Sequence, residues 1–328
     1  FVTFLNAKKI VVGHDFRSDS KEFAQQLIKG ANAAGCDVVF VGEVATEMIY
    51  FAAGEDETLD GAITVTASHN PKGYNGAKMV RQNAEGISKD TGLLEIQQIM
   101  VEGSYLEHNE GGKVTPLDLY PKFKKKILKV LDGVKIKPLK IVVDAGNGLG
   151  GKVFNKIFGN LGFKVKEMYF EPNDNFPNHE ANPIKEENLA DIKKELKQGD
   201  YDLGMAIDGD ADRVYFLSGT GKALNGSFAS SLFARHFAKK EPGAKILHDP
   251  RLTWPVTKEL EKLDADALVC KAGHTFFKER MKLEDAVFGG EMSCHMFYRD
   301  FYYADSGMMS IALVLKLVLK GLDLNKEL

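Results

Sequence analysis

Apolar residues run along the chain in short bursts that alternate with segments of helical period. KKIVVGHD reads as a strand and FAQQLIKGANAAG as the helix after it, with Asp19 and Glu22 placed to cap its start and Gly35 to end it. CDVVFVGEV is the next strand, ATEMIYFAAGEDET a helix and DGAITVTASHNP a third strand, an order that favours a parallel sheet covered on both faces. The rhythm returns twice. A lysine-rich helix leads into the strand LKIVVDAGNG, a helix, the strand FKVKEMYF, the turn-rich loop EPNDNFPNHEANP, a helix and the strand DLGMAID. SFASSLFARHFAKK is then a helix, AKILHDP a strand, PVTKELEKL a helix, and ALVCKA and AVFGGEM strands. The expected fold class is α/β: three tandem, similar α/β domains with mixed, largely parallel sheets covered by helices, their loops converging on a central cleft. A length of 328 residues fits that count, with domains expected at 1–113, 114–221 and 222–328.

Charge and cysteine usage narrow the partners. A net charge of -3 and a pI near 6.3 leave no field to hold nucleic acid or an anionic membrane. The basic run KFKKKILKVLDGVKIKPLK at 122–140 has apolar residues at helical spacing and reads as a solvated helix face. GMMSIALVLKLVLKGL is broken by Lys316 and too short to span a bilayer, so a buried helix is expected there. Cys36, Cys270 and Cys294 are odd in number, far apart and without metal spacing, which points to reduced thiols and a cytoplasmic protein. The opening FVTFLNAKKIVV has no initiator Met and no secretory pattern, and reads as a fragment that starts inside a helix.

Four stretches carry chemistry. TVTASHNPKGYNGAKMV at 64–80 puts Ser68 where a buried strand opens into a loop, the end of an α/β sheet at which ligands bind. Ser68 is thus a candidate nucleophile, against the alternative of a serine that only serves its own turn. DGDADR at 208–213 sets three carboxylates at alternate positions between two apolar strands, a spacing that aims Asp208, Asp210 and Asp212 at one hard cation such as Mg²⁺ or Ca²⁺. An EF-hand is excluded, because Arg213 and Gly219 stand where the loop needs Gly and Glu. A merely solvated acidic turn is disfavoured, since carboxylates so close repel one another without a cation. VVDAGNGLGG spaces Gly146, Gly148 and Gly151 as a dinucleotide fingerprint with Glu171 downstream, which leaves an NAD-dependent oxidoreductase as an alternative. KAGHTFFKERM and GGEMSCHMF offer Lys271, Gly273 and His274, and Glu291, Ser293 and His295: glycine for backbone approach, a carboxylate and hydroxyl for sugar oxygens, and cations for protons or phosphate.

Taken in order, TASHNP with YNGAK, VVDAGNG, FPNHEANP, DGDADR, KAGH and GGEMSCH resemble the α-D-phosphohexomutase superfamily, in particular its bacterial phosphomannomutase/phosphoglucomutase group, over essentially the whole chain. The resemblance implies an intramolecular phosphotransferase that interconverts hexose 1-phosphate and hexose 6-phosphate through a phosphoserine and a hexose 1,6-bisphosphate, the latter also its activator. It implies that Ser68 carries the phosphate, that Ser68, Asp208, Asp210 and Asp212 hold one Mg²⁺, and that Arg213 adds a fixed cation. His69, Lys78, Arg251, His274 and His295 would handle protons or phosphate, with Lys78 the general base. Lys271, Gly273, His274, Glu291, Ser293 and His295 would bind the substrate.

Hexose phosphates are the implied partners, glucose and mannose both open, with glucosamine disfavoured by Met292 where that branch usually has Gln. The oligomeric state is not implied. Two positions depart from the pattern: Cys294 stands where Gly is usual, beside the sugar loop and expected to react with thiol reagents, and His14 where Arg is usual. The family's leading segment and its fourth, phosphate-clamping domain lie outside this sequence. A non-catalytic sugar-phosphate binder remains a further alternative, which the intact Ser68, Lys78 and aspartate set argues against.

Overall fold

The structure, a computed structural model, describes residues 1–107 and 110–327. The chain divides into two compact units, Phe1–Ala67 with Gly73–Leu119, and Ser68–Lys72 with Tyr120–Leu328.

The first unit contains α1 (Val2–Leu5), β1 (Lys9–His14), α2 (Ser20–Ala33), β2 (Asp37–Glu43), α3 (Thr46–Glu55), β3 (Gly61–Val65), β4 (Ala77–Arg81), α4 (Leu94–Glu102) and β5 (Val114–Pro116). Its five-stranded sheet has the order β4-β3-β1-β2-β5. Every pairing is parallel except β3 with β4. The strand expected at DGAITVTASHNP is β3, whose GAITV is buried throughout, as a strand covered on both faces must be. β4 was not anticipated: Asn75 and Gly76 look like the middle of a long loop, yet the chain turns back there and Lys78 pairs opposite Thr64.

The cap expected from Asp19 is also different. Asp19 precedes α2 without a side-chain capping bond, and its Oδ1 accepts from Asn75 Nδ2 at 2.7 Å, while Ser20 Oγ accepts from the same amide at 2.9 Å. The residue thus ties down the loop before β4. Arg17, 3% exposed and paired with Asp15, adds a longer bond to Tyr74 O at 3.5 Å. His14 is buried, stacked on Phe40 with ring centroids 6.0 Å apart, its Nδ1 2.7 Å from Asp15 O.

The second unit begins with α5 (Tyr120–Leu128) and carries two more sheets. β6 (Lys140–Asp144), α6 (Gly150–Phe158), β7 (Lys164–Met168), α7 (Ala190–Gln198), β8 (Leu203–Ile207), β9 (Val214–Ser218) and β10 (Ala223–Leu224) build the first, in the order β10-β9-β8-β6-β7. α8 (Gly226–Lys240), β11 (Ala244–His248), α9 (Thr253–Leu260), β12 (Ala265–Val269), α10 (His274–Glu284), β13 (Phe288–Gly290), β14 (Met296–Tyr298), β15 (Ala304–Asp305) and α11 (Gly307–Leu319) build the second, in the order β12-β11-β13-β14-β15. The chain is thus three tandem α/β domains, each on a mixed five-stranded sheet flanked by helices, with parallel pairings in the majority over the three sheets. The apolar run GMMSIALVL is the buried helix expected of it, closed to solvent from Gly307 through Leu315. Among the described residues no helix is long and apolar enough to cross a membrane. α5 buries Phe123 and Ile127 and turns its lysines outward.

Candidate active site

Ser68 lies past the end of β3 with φ at +53°, in the left-handed region. A serine accepts that geometry at a cost. Ser68 Oγ donates to Asp210 Oδ1 at 3.0 Å and lies 3.4 Å from His69 Nδ1. The carbonyl of Ser68 faces Gly209: a Cβ added there would come within 2.6 Å of it, so only glycine lets the aspartate turn approach this closely.

That turn joins β8 to β9 and is held from within. Ala211 N donates to Asp208 O at 3.1 Å, Arg213 N to Asp208 Oδ1 at 3.1 Å, and Asp208 N to Arg213 O at 3.2 Å. Asp208, Asp210 and Asp212 are 0%, 0% and 1% exposed, with a carboxylate oxygen of each within 4.8 Å of the others. Three anions buried so close repel one another unless a cation sits among them. Hard oxygen donors from carboxylates suit a divalent ion of the Mg²⁺ or Ca²⁺ type. The three aspartates therefore fit a metal.

Arg213 is enclosed with them. Its Nε donates to Asp208 Oδ2 at 2.8 Å and lies 3.7 Å from Asp212 Oδ1, and its Nη2 donates to His69 Nδ1. A guanidinium only donates, so His69 Nδ1 must be an acceptor and the imidazole neutral with its proton on Nε2. The Ser68 hydroxyl proton is accordingly directed at Asp210.

The sugar-loop candidates lie in the same unit. Gly273 N donates to Glu291 Oε1 at 2.7 Å, which ties the KAGH loop to GGEMSCH. Glu291 Oε2 is 3.2 Å from His295 Nδ1, Ser293 Oγ also lies 3.2 Å from that nitrogen, and the rings of His274 and His295 are 6.4 Å apart. His295 Nε2 reaches 3.6 Å from Asp212 Oδ1, so the sugar loop meets the aspartate turn through this residue. Burial works against a charged His295, but the hydrogen bond and charge of Asp212, with Glu291, outweigh it and push its pKa up to about 9.

Arg251 is more exposed; it forks onto Asp249 at 3.2 and 2.7 Å, and Asp249 Oδ2 accepts from Met292 N at 2.8 Å, so the arginine is anchored at the base of the sugar loop. Lys271 is exposed, its Nζ 4.1 Å above the Phe276 ring. Lys78 belongs to the first unit, on β4.

Cys294 differs from the expectation of a reactive thiol. It is 2% exposed, and burial pushes its pKa up to about 12. Its φ of +65° explains why glycine would be at ease here. The dinucleotide reading of 146–151 is not supported: Gly148, which in that reading lets a pyrophosphate approach, faces the aspartate turn instead, where a Cβ would lie 2.8 Å from Gly209 Cα.

Two residues that sequence reasoning missed lie close to His295. Lys278, on α10, and Asp305, on β15, form an ion pair at 3.0 Å, and Asp305 Oδ2 lies 4.0 Å from His295 Nε2. Asp212, His295 and Asp305 form a second tight set of potential ligand atoms. The available signal was the polar dipeptide Asp305–Ser306 opening an otherwise apolar helix.

Residues 1–106, 119–221 and 225–328 match domains I, II and III described as phosphoglucomutase/phosphomannomutase, alpha/beta/alpha. A protein of Xanthomonas campestris pv. campestris (strain B100) named phosphohexose mutases is 39% identical over 321 residues, 96% of this chain and 70% of that protein. A phosphomannomutase of Vibrio cholerae serotype O1 is 38% identical over 323 residues, 97% of this chain and 70% of its own length. Among solved structures, a phosphoglucomutase/phosphomannomutase family protein from Burkholderia thailandensis superposes with a TM-score of 0.88 at 32% identity, covering 96% of this chain and 69% of that one.

Proposed function

The chain belongs to the phosphoglucomutase/phosphomannomutase family and is a hexose phosphate mutase, and we propose that Ser68 is the residue through which it moves a phosphoryl group between O1 and O6 of glucose or mannose phosphate. The observation that carries this is the 3.0 Å bond from Ser68 Oγ to Asp210 inside the buried aspartate cluster. A serine that served only its own turn would have no reason to donate to a buried carboxylate of a distant loop.

In the first transfer the bond between phosphorus and Ser68 Oγ breaks as a sugar hydroxyl bonds to phosphorus, and the proton that hydroxyl gives up ends on Ser68 Oγ, leaving a hexose 1,6-bisphosphate and a free serine. In the second, Ser68 Oγ takes the phosphoryl group from the other end of the sugar and the proton returns to the oxygen left behind. Little covalent work falls to the protein in such transfers, so position and charge decide the rate. Arg213, pinned by Asp208, presents a positive charge that need not reorganise during transfer.

His69 accepts from Arg213 through Nδ1 and is thereby held beside Ser68. Asp208, Asp210 and Asp212 would hold the metal, most simply Mg²⁺, which when bound offsets the charge of a phosphorylated Ser68. Glu291, Ser293, His274 and His295 face the sugar, with Arg251, Lys271 and Gly273 at the margins of the same loops. Three buried free cysteines suit a reducing, cytoplasmic setting.

The test is to incubate the protein and its Ser68→Ala variant with glucose 1,6-bisphosphate labelled in phosphorus and to map the label by peptide mass spectrometry. Label on Ser68, absent from the variant together with transfer, is the expected result. Label elsewhere, or turnover by the variant, would overturn the proposal.

A further inference from the structure

α5, α8 and α11 bring their C-terminal ends together around a pocket of about 820 Å³ in the second unit. Six lysines line it: Lys126 and Lys129 from the end of α5 and the turn after it, Lys239 and Lys240 from α8, and Lys316 and Lys320 from α11. The acidic residue lining it is Asp300. Arg299 also faces the pocket, but both arms of its guanidinium are held by Glu241, at 3.1 and 2.6 Å. Lys316 Nζ donates to the backbone carbonyl of Val130 at 2.7 Å, with Asp132 the carboxylate nearest in effect, and Lys126 Nζ stands 4.8 Å over the Tyr302 ring.

A structural account exists for part of this. Helix C-termini carry about half a negative charge each, so lysines there are favourable one by one. Three such ends and Asp300 supply roughly -2.5 against six positive charges, which leaves the pocket net positive. The mutual repulsion is visible in the neighbours. Burial, followed by Lys240, Lys316 and Lys320, brings the His236 imidazole down to about 4. Lys316 is lowered by burial and then by Lys320 and Lys240. A concave wall lined by one sign of charge focuses potential, and in a chain of net charge -3 this is a local concentration against the overall balance.

The pocket is separate from the site described above. The N-terminus of α8 packs on the sugar loop, where a Cβ on Gly226 would lie within 2.6 Å of the Met292 carbonyl carbon, and that of α11 packs on the aspartate turn, where one on Gly307 would come 2.5 Å from Ala211 O. At 1.5 Å rise per residue Lys239, Lys240 and Lys320 lie about 20 Å along their helices from those loops, and Lys316 about 13 Å.

We infer that this pocket is a binding site for a compact polyanion bearing two or more linked phosphoryl groups, either free polyphosphate or the tail of a nucleotide. Lysine ammoniums are point donors that suit several phosphate oxygens at once without a fixed fork. The pocket has the volume of a small molecule, not of an extended surface. The inference does not depend on the reaction proposed for Ser68.

Calorimetric titration of the 328-residue chain at low salt tests it, with tripolyphosphate as probe, orthophosphate and ADP as comparators, and two charge-matched variants. Lys240→Glu/Lys320→Glu alters the pocket, and Lys122→Glu/Lys125→Glu alters exposed lysines of α5 outside it. Tripolyphosphate is expected to bind the parent and the α5 variant alike and the pocket variant at least tenfold more weakly, and to shield Lys240 and Lys320, but not Lys122 and Lys125, from acetylation. ADP binding as tightly as tripolyphosphate identifies a nucleotide tail as the source, and weaker ADP binding identifies free polyphosphate. Equal affinity in the two variants, orthophosphate bound as tightly as tripolyphosphate, or a single-stranded oligonucleotide bound more tightly than either through the same lysines would overturn it.

Discussion

Lys278 Nζ lies 3.0 Å from Asp305 Oδ1, with the two side chains 3% and 1% exposed. Burial opposes the charge of Asp305, but Lys278 and His295 hold its carboxyl below the usual range, so the pair stays ionic. Breaking such a pair from one side strands the other charge, at about 3 to 5 kcal/mol. Lys278→Met should therefore lower the urea midpoint markedly. Lys278→Met/Asp305→Leu should recover part of the loss, because it leaves no stranded charge. A double variant less stable than Lys278→Met would contradict this.

Asp210→Asn keeps the shape of the side chain and removes one anion from the metal set. Transfer should fall on the order of a hundredfold or more, the size of effect seen when one preorganised electrostatic group is lost. Circular dichroism should show the fold intact, since the turn is closed by bonds to Asp208 rather than Asp210. Removal of divalent ions by chelator should mimic the substitution in the parent protein. Activity that survives both treatments would exclude the aspartates as ligands.

Thiol reagents should leave the native protein alone. Cys36, Cys270 and Cys294 are all buried, with pKa values pushed by burial to about 11, 11 and 12. At pH 8 a thiol near 12 is ionised to roughly one part in ten thousand, against about a quarter for a free cysteine. Ellman's reagent should count no thiols in the folded chain and three in guanidinium. Rapid labelling of native Cys294 would show that the sugar loop opens in solution.

His179 gives a pH dependence with a definite sign. Its Nδ1 lies 2.9 Å from Glu180 O and its Nε2 3.0 Å from Asp144 Oδ2, and two acceptors require a proton on each nitrogen. Burial opposes the charge, but the hydrogen bond and charge of Asp144 raise the pKa above 6.5. A raised folded pKa stabilises fully below the unfolded value, and the contribution is lost as pH rises through the folded one. His179→Gln should accordingly cost more stability at pH 6 than at pH 9 in urea titrations. An equal cost at both would mean that the ring is neutral.

Much of this was legible in the sequence because the strands are buried on both faces and therefore read as unbroken apolar runs: GAITV, LGMAI and VYFLS are all enclosed. β4 was not, since AKMVR is a half-covered edge strand preceded by turn residues, and β5 is only three exposed residues. The Ser68 loop, the aspartate turn and the sugar loop stood out because each sets polar residues against an apolar strand. Lys278 did not. Within HTFFKERMK it looks like one more cation on a solvated face, and only the tertiary position of Asp305 makes it a buried ion. The solvated lysine face expected of α5 is there, but periodicity alone does not show that Lys126 and Lys129 line a pocket with α8 and α11.

The glycines before and within α6 bear on how this segment can change over generations. One base separates a glycine codon from an alanine codon, the smallest step open to a drifting gene. At Gly148 the added carbon would lie 2.8 Å from Gly209, at Gly150 2.6 Å from Ile207 and at Gly151 2.6 Å from Phe170. The shortest mutational path is thus closed at three nearby codons, and Gly148 owes its closure to the turn that carries the aspartates. Any lineage that retains this aspartate turn in its place inherits a block on the volume of the residues facing it, whatever substrate it comes to use.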